Sequence, residues 1–145
     1  MGRFTVIIGG AGFLGTRLAK RLENKKIAFL IGDKAPDSST GKSFICDVEA
    51  LDDQVKLSKA SCIINLAAMH RDDVRPLSRY DDVNVQGSVN VCDAARKHGI
   101  NKIIFTSSVA IYGFAPADTD ESGEPNYFND YGRTKYLAEQ VYKEW

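Results

Sequence analysis

The stretch Phe4–Gly15, FTVIIGGAGFLG, constrains the fold more than any other part of the chain. Phe4 to Ile8 is a short apolar run rich in β-branched residues and stopped by glycine, the pattern of a strand buried in a parallel sheet. Gly9, Gly10, Gly12 and Gly15 punctuate the turn that follows, and Phe13, Leu14, Leu18 and Leu22 recur near helical spacing. In the order strand, turn, helix, glycines have a physical task. They permit a tight turn, close approach of backbone to a pyrophosphate, and close seating of helix on strand. The N–H groups at the helix start then face the phosphates. The run fits G-x-G-x-x-G as Gly10, Gly12 and Gly15, and the wider G-x-x-G-x-x-G as Gly9, Gly12 and Gly15. A glycine-rich turn without a ligand is the plainer alternative, and the strand-to-helix context favours a dinucleotide.

The rest of the chain repeats the alternation. Strands are expected at Ile27–Gly32, Ser43–Val48, Ser61–Ala68 and Lys102–Ser107. Helices are expected at Glu49–Lys59, Tyr80–Gly99 and Asp130–Trp145, the last with Asp130 as N-cap. His70–Pro76 is charged loop, and Ala115–Asn129 is turn-rich. Strands alternating with helices imply an α/β fold with a doubly wound parallel sheet. The 145 residues suffice for one domain and hardly for two.

Nineteen basic and nineteen acidic residues cancel, so there is no electrostatic footprint for nucleic acid or an anionic membrane. No apolar run approaches a membrane span. Gly2 and Arg3 lead directly into the first strand, so no cleavable signal peptide is expected. Cys46, Cys62 and Cys92 are widely separated and form no C-x-x-C pair. Reduced thiols in a cytoplasmic protein, with no metal site, are the expectation.

Two constellations carry chemistry. Asp33 ends the second strand, where a carboxylate accepts hydrogen bonds from the adenosine ribose hydroxyls and repels a 2′-phosphate. It therefore favours NAD over NADP, although Lys34 beside it weakens the inference, and a loop-capping role is the alternative. Tyr131 and Lys135 lie four residues apart, on one face of a helix. A phenol titrates near pH ~10 and is a poor base at neutrality. A neighbouring ammonium and the positive nicotinamide ring favour the phenolate. The hydroxyls of Thr106, Ser107 and Ser108, at the end of the fifth strand, can bond a substrate oxygen or simply satisfy local backbone.

Taken together, Gly9/Gly12/Gly15, Asp33, Asp47-Val48, Asn65-Leu66-Ala67-Ala68, Asn84 with Gly87, SSVAIYG at 107–113 and YGRTK at 131–135 resemble the extended short-chain dehydrogenase/reductases of the NAD-dependent sugar epimerase/dehydratase group. The resemblance implies a Rossmann-type domain with Gly9, Gly12, Phe13, Leu14, Gly15, Asp33, Asp47, Val48, Leu66, Ala67 and Ala68 around NAD. Within that set Asp33 holds the adenosine ribose, Asp47 and Val48 line the adenine, and Ala67 contacts the diphosphate–ribose region. It makes Ser108 the catalytic hydroxyl, Tyr131 the base and Lys135 the residue on the nicotinamide ribose. Val109-Ala110 stand where the sugar 4,6-dehydratases carry Asp-Glu, which favours epimerase or simple reductase chemistry over dehydration.

Members of this family run to about twice this length. Residues 1–145 are therefore expected to be an incomplete NAD-binding domain, short of its last strands and of a C-terminal domain for the nucleotide-sugar. The resemblance also implies a homodimer through helices 80–99 and 130–145. Epimerisation of a nucleotide-sugar is the leading reading, with a reductase or dehydratase of the same family, or a non-catalytic NAD-binding module, as alternatives.

Overall fold

The computed structural model describes residues 4–36, 42–51 and 55–145. The chain divides into two compact units, Met1–Ala67 with Asn90–Thr106, and Ala68–Val89 with Ser107–Trp145.

The first unit is built on five parallel strands: β1 (Phe4–Ile8), β2 (Phe29–Asp33), β3 (Ser43–Ile45), β4 (Ala60–Asn65) and β5 (Ile103–Phe105). Their order is β3-β2-β1-β4-β5. The chain steps outward from β1 to one edge, returns to β4, and steps outward again. The order therefore reverses between β1 and β4, the place where open α/β sheets leave a crevice at the strands' carboxyl ends. β1 lies at the centre of the sheet, and its Val6 and Ile7 are fully buried. Helix α1 (Phe13–Asn24) lays Leu18, Ala19 and Leu22 against Ile7, Phe29 and Ile31.

Several boundaries differ from the sequence reading. β2 begins at Phe29 rather than Ile27, because Lys26 takes a positive φ of 55° and Ile27 is left exposed by the reversal. The helix expected over Glu49–Lys59 is a single 3₁₀ turn at Val55–Lys59, with residues 52–54 outside the described set. Leu51 and Leu57 are both buried, six residues apart, a spacing one helical face does not provide.

In the second unit, α2 (Ser78–Tyr80) runs into a π-helical stretch at Asp81–Gln86 and on into α3 (Gly87–Lys97), of which Gly87–Val89 belong to this unit. A 3₁₀ turn at Val109–Ile111 and helix α4 (Asp130–Glu144) complete it. Asn129, not Asp130, is the N-cap of α4: its side-chain oxygen accepts from the Gly132 amide at 2.8 Å. Among the described residues no helix is long and apolar enough to cross a membrane. Nor is any group of His, Cys, Asp and Glu among them placed to hold a metal ion.

Candidate functional site

In the first unit the glycines separate by what a side chain would strike. Gly9 has φ +73°, and a Cβ there would lie 2.6 Å from the Ala67 amide nitrogen, so the turn after β1 presses on the backbone that leaves β4. A Cβ at Gly10 would lie 2.8 Å from the Ile31 side chain, and one at Gly15 2.3 Å from the Gly10 carbonyl oxygen. These three are required by the fold itself. Gly12 is different, since a Cβ there would meet nothing nearer than the Gly9 oxygen at 3.5 Å. The space over Gly12 is open, and Gly12 caps α1 with no side-chain hydrogen bond. Phe13 and Leu14 point out to solvent in the first turn of α1, which also carries no acidic residue. An uncapped, acid-free helix start beneath an open glycine suits an anion held by backbone amides.

Asp33 closes the turn from β2. Its Oδ2 accepts from the Ala11 amide at 3.0 Å and its Oδ1 from the Ala35 amide at 3.2 Å. The capping role is thus present, and a carboxylate still has acceptor positions for ribose hydroxyls. Asp47 Oδ1 accepts from the Glu49 amide at 2.9 Å, and Val48, buried, takes a hydrogen bond on its carbonyl from Asn90 at 3.0 Å. Leu66 and Ala67 are half-buried past the end of β4, where the Ala67 amide donates to the Asn65 side chain at 3.1 Å. Ala68, also half-buried, opens the second unit. This set of donors, the open glycine and the terminal carboxylate fit a dinucleotide.

In the second unit, Ser108 is the N-cap of the Val109–Ile111 turn, and its Oγ accepts from the Ala110 amide at 3.1 Å. That bond uses an acceptor site and leaves the hydroxyl proton to be donated. Helix α4 meets this turn at Gly132, where a Cβ would lie 2.4 Å from the Ala110 carbonyl oxygen. The glycine beside Tyr131 is therefore what lets the helix carrying Tyr131 seat against the turn carrying Ser108. Tyr131 is half-buried. Lys135, one turn on, is only 2 % exposed.

Sequence reasoning missed the scaffold under α4. Asn84, on the π-helical stretch and 3 % exposed, donates to Thr134 Oγ1 at 2.9 Å and pairs reciprocally with Met69, accepting from its amide at 2.8 Å and donating to its carbonyl at 3.0 Å. A buried amide with three partners fixes one arrangement, because leaving any of them unpaired is costly. A polar residue at an apolar helical position was the available signal. Arg133 makes a bidentate pair with Asp81 at 2.9 and 2.6 Å and reaches Asp130 at 3.0 Å. That pair holds the Asp81 carboxyl below its ordinary value. His70 and Arg71 are exposed, and Arg71 pairs with Asp73 at 2.8 Å, as a solvated loop does.

Burial pushes the Lys135 ammonium down to about 8, against some support from Glu139. At neutral pH it still carries its proton, at a cost in stability. Unfolding restores the ordinary value of 10.5. Below about pH 8 both states are protonated and the cost is felt in full. Between 8 and 10.5 the folded chain gives up a proton the unfolded chain keeps, so stability rises with pH. We expect denaturant midpoints to increase over that window by the equivalent of roughly 3 kcal/mol or less. Lys135→Met should flatten the rise; an undiminished rise in that variant would assign it to other groups.

The NAD dependent epimerase/dehydratase family model matches residues 5–145. The chain is 43% identical over 144 residues to an N-acetyl-alpha-D-glucosaminyl-diphospho-ditrans,octacis-undecaprenol 4-epimerase of Escherichia coli O157:H7, covering 97% of this chain and 43% of that protein. It is 29% identical to a UDP-glucose 4-epimerase of Rhizobium meliloti (strain 1021), covering 97% and 46%. The crystal structure of the Brucella ovis UDP-glucose 4-epimerase in complex with NAD superposes with a TM-score of 0.86 at 29% identity, over 99% of this chain and 47% of that one. The chain thus spans less than half the length of these relatives. It belongs to the NAD dependent epimerase/dehydratase family.

Proposed function

We propose that this chain is the cofactor-binding and proton-transferring part of a 4-epimerase acting on a hexose joined through C1 to a diphosphate. The observation that carries the reading is the α4 arrangement. Tyr131 stands one turn from a buried, charged Lys135, on a helix that Gly132 seats against the Ser108 turn. The 4-epimerase relatives favour C4 as the carbon acted on.

In this reading the amides around Gly12 hold the NAD diphosphate, with Phe13 and Leu14 at the same helix start. Asp33 holds the adenosine ribose. Asp47, Val48, Leu66, Ala67 and Ala68 line the remainder. NAD supplies hydride acceptance from C4 and its return to the opposite face. Tyr131 takes the C4 hydroxyl proton as the carbonyl forms and gives it back when the carbonyl is reduced. Lys135 binds the nicotinamide ribose. Ser108, its Oγ already accepting from Ala110, donates a hydrogen bond to the substrate oxygen and holds that oxygen during both steps. Val109 and Ala110 bring neither acid nor base for an elimination, so the reading is epimerisation rather than dehydration.

The reading extends to residues 1–145 being one incomplete NAD-binding domain, completed by a sugar-binding part. It extends also to a homodimer through helices 80–99 and 130–145, and to a cytoplasmic location. The thiols of Cys46, Cys62 and Cys92, all buried, are compatible with a reducing compartment. Burial pushes the Cys46 thiol up to about 12, which makes it inert.

The carrier is distinguished by assay. The active protein is incubated in D₂O with UDP-glucose, and separately with N-acetylglucosaminyl-diphospho-undecaprenol. The expected product of the true substrate is its 4-epimer with protium retained at C4, because the hydride returns to its own carbon. Deuterium at C4, or no conversion of either substrate, would refute the proposal.

A further inference from the structure

We infer that Glu49, together with Asp47, disarms Lys34 and thereby makes the ribose corner reject a 2′-phosphate. The inference rests on the dinucleotide reading above and names what sets its specificity. Asp33 alone does not settle the matter. The residue after it is a lysine, and a cation at the end of β2 is the kind of group that accommodates the extra phosphate of NADP.

The geometry removes that cation from play. Lys34 Nζ lies 2.6 Å from Glu49 Oε2 and 3.2 Å from Asp47 Oδ2. The two carboxylates are not adventitious neighbours. Asp47 Oδ1 accepts from the Glu49 amide at 2.9 Å, and the Ala50 amide donates to the Asp47 carbonyl at 3.0 Å, so a tight turn past β3 presents both side chains together. Glu49 is the more buried of the pair, at 24 % side-chain exposure against 39 % for Asp47, and is the closer partner. Lys34 keeps its proton, its value raised by Glu49 first and Asp47 next. Its charge, however, is spent. Two carboxylates pair with one ammonium, and with the Asp33 carboxylate on the preceding residue the three acids outnumber the one base, so the corner is net negative. An incoming phosphate dianion would have to displace a carboxylate from Lys34 and then remain beside the others. A diol asks for neither.

Glu49 is in this account a positioning residue. It acts through Lys34 and need not touch the cofactor. Asp33 is left untouched in every variant, so the primary ribose contact is held constant while the neighbouring charge is changed.

The test is calorimetric titration of the chain with NAD and with NADP, at low and at raised salt, for the unmodified protein, Lys34→Gln, Glu49→Gln and the double variant. Glu49→Gln should raise NADP affinity relative to NAD by about tenfold at low salt, with the gain shrinking as salt screens it. Lys34→Gln alone should change the ratio less than about twofold, because its charge is already neutralised. The double variant should return the ratio to near that of the unmodified chain, which a purely structural role for Glu49 would not produce. If Glu49→Gln binds NAD normally and the ratio stays within about twofold, the inference is wrong while the dinucleotide reading stands. If the folded, unmodified chain binds neither nucleotide, the dinucleotide reading fails and the inference falls with it.

Discussion

Tyr131→Phe is expected to fold, to bind NAD within about threefold of the unmodified protein, and to lose roughly 10²–10⁴-fold in turnover. The substitution removes one oxygen from a half-buried side chain and keeps the ring that sits beside Gly132. It takes away the group assigned to receive the C4 hydroxyl proton. Without that transfer a hydride would have to leave a carbon whose oxygen is still protonated, producing an oxocarbenium in place of a ketone. The Lys135 ammonium cannot substitute, because at neutral pH it is already protonated, its value lying near 8. The measurement pairs initial rates of epimerisation with nucleotide titration on one preparation. Turnover within about threefold of normal would remove Tyr131 from the chemistry, whereas joint loss of turnover and NAD binding would show the variant to be misassembled.

The second large effect separates two glycines of one motif. Gly15→Ala should cost roughly 3 kcal/mol or more, or prevent folding, because its Cβ would lie 2.3 Å from the Gly10 oxygen and 2.4 Å from the Gly10 Cα, backbone atoms that cannot swing away. Gly12→Ala should leave stability within about 1 kcal/mol, since its nearest neighbour would be at 3.5 Å and its φ of −74° is open to alanine. That methyl would nonetheless stand in the space assigned to the diphosphate, and NAD affinity should fall about tenfold or more. Thermal unfolding and titration on the two variants check both halves. Equal destabilisation would show that the open space over Gly12 has no bearing on a ligand.

The sequence made the first strand–turn–helix legible because its signals agree: a β-branched run, glycines at fixed offsets, then leucines at helical spacing. The remaining strands were legible as apolar runs, but their ends were not. Lys102–Ser107 read as strand, yet pairing stops at Phe105, and Ser108 turns its hydroxyl to the Ala110 amide instead. Of the two readings open for the Thr106 hydroxyl, the structure shows a backbone partner, the Asn65 carbonyl of the neighbouring strand at 3.4 Å. Asn129 and Asp130 are both competent N-caps by type, and choosing between them required the backbone.

What stayed hidden is what depends on residues distant in sequence. The Lys34–Glu49 contact spans fifteen positions, and Arg133–Asp81 and Asn84–Thr134 each span about fifty. No periodicity reports such pairs. The sequence motif likewise did not reveal that Gly9, Gly10 and Gly15 serve packing while Gly12 leaves room. That division follows only from which atoms lie opposite each Cα.

The central claim, that the first unit holds NAD, is tested most directly by calorimetric titration of the unmodified chain with NAD and then with NADP. The account predicts saturable binding of one NAD per chain, at least about tenfold tighter than NADP. A folded chain that gives no heat with NAD, or that prefers NADP, would contradict it.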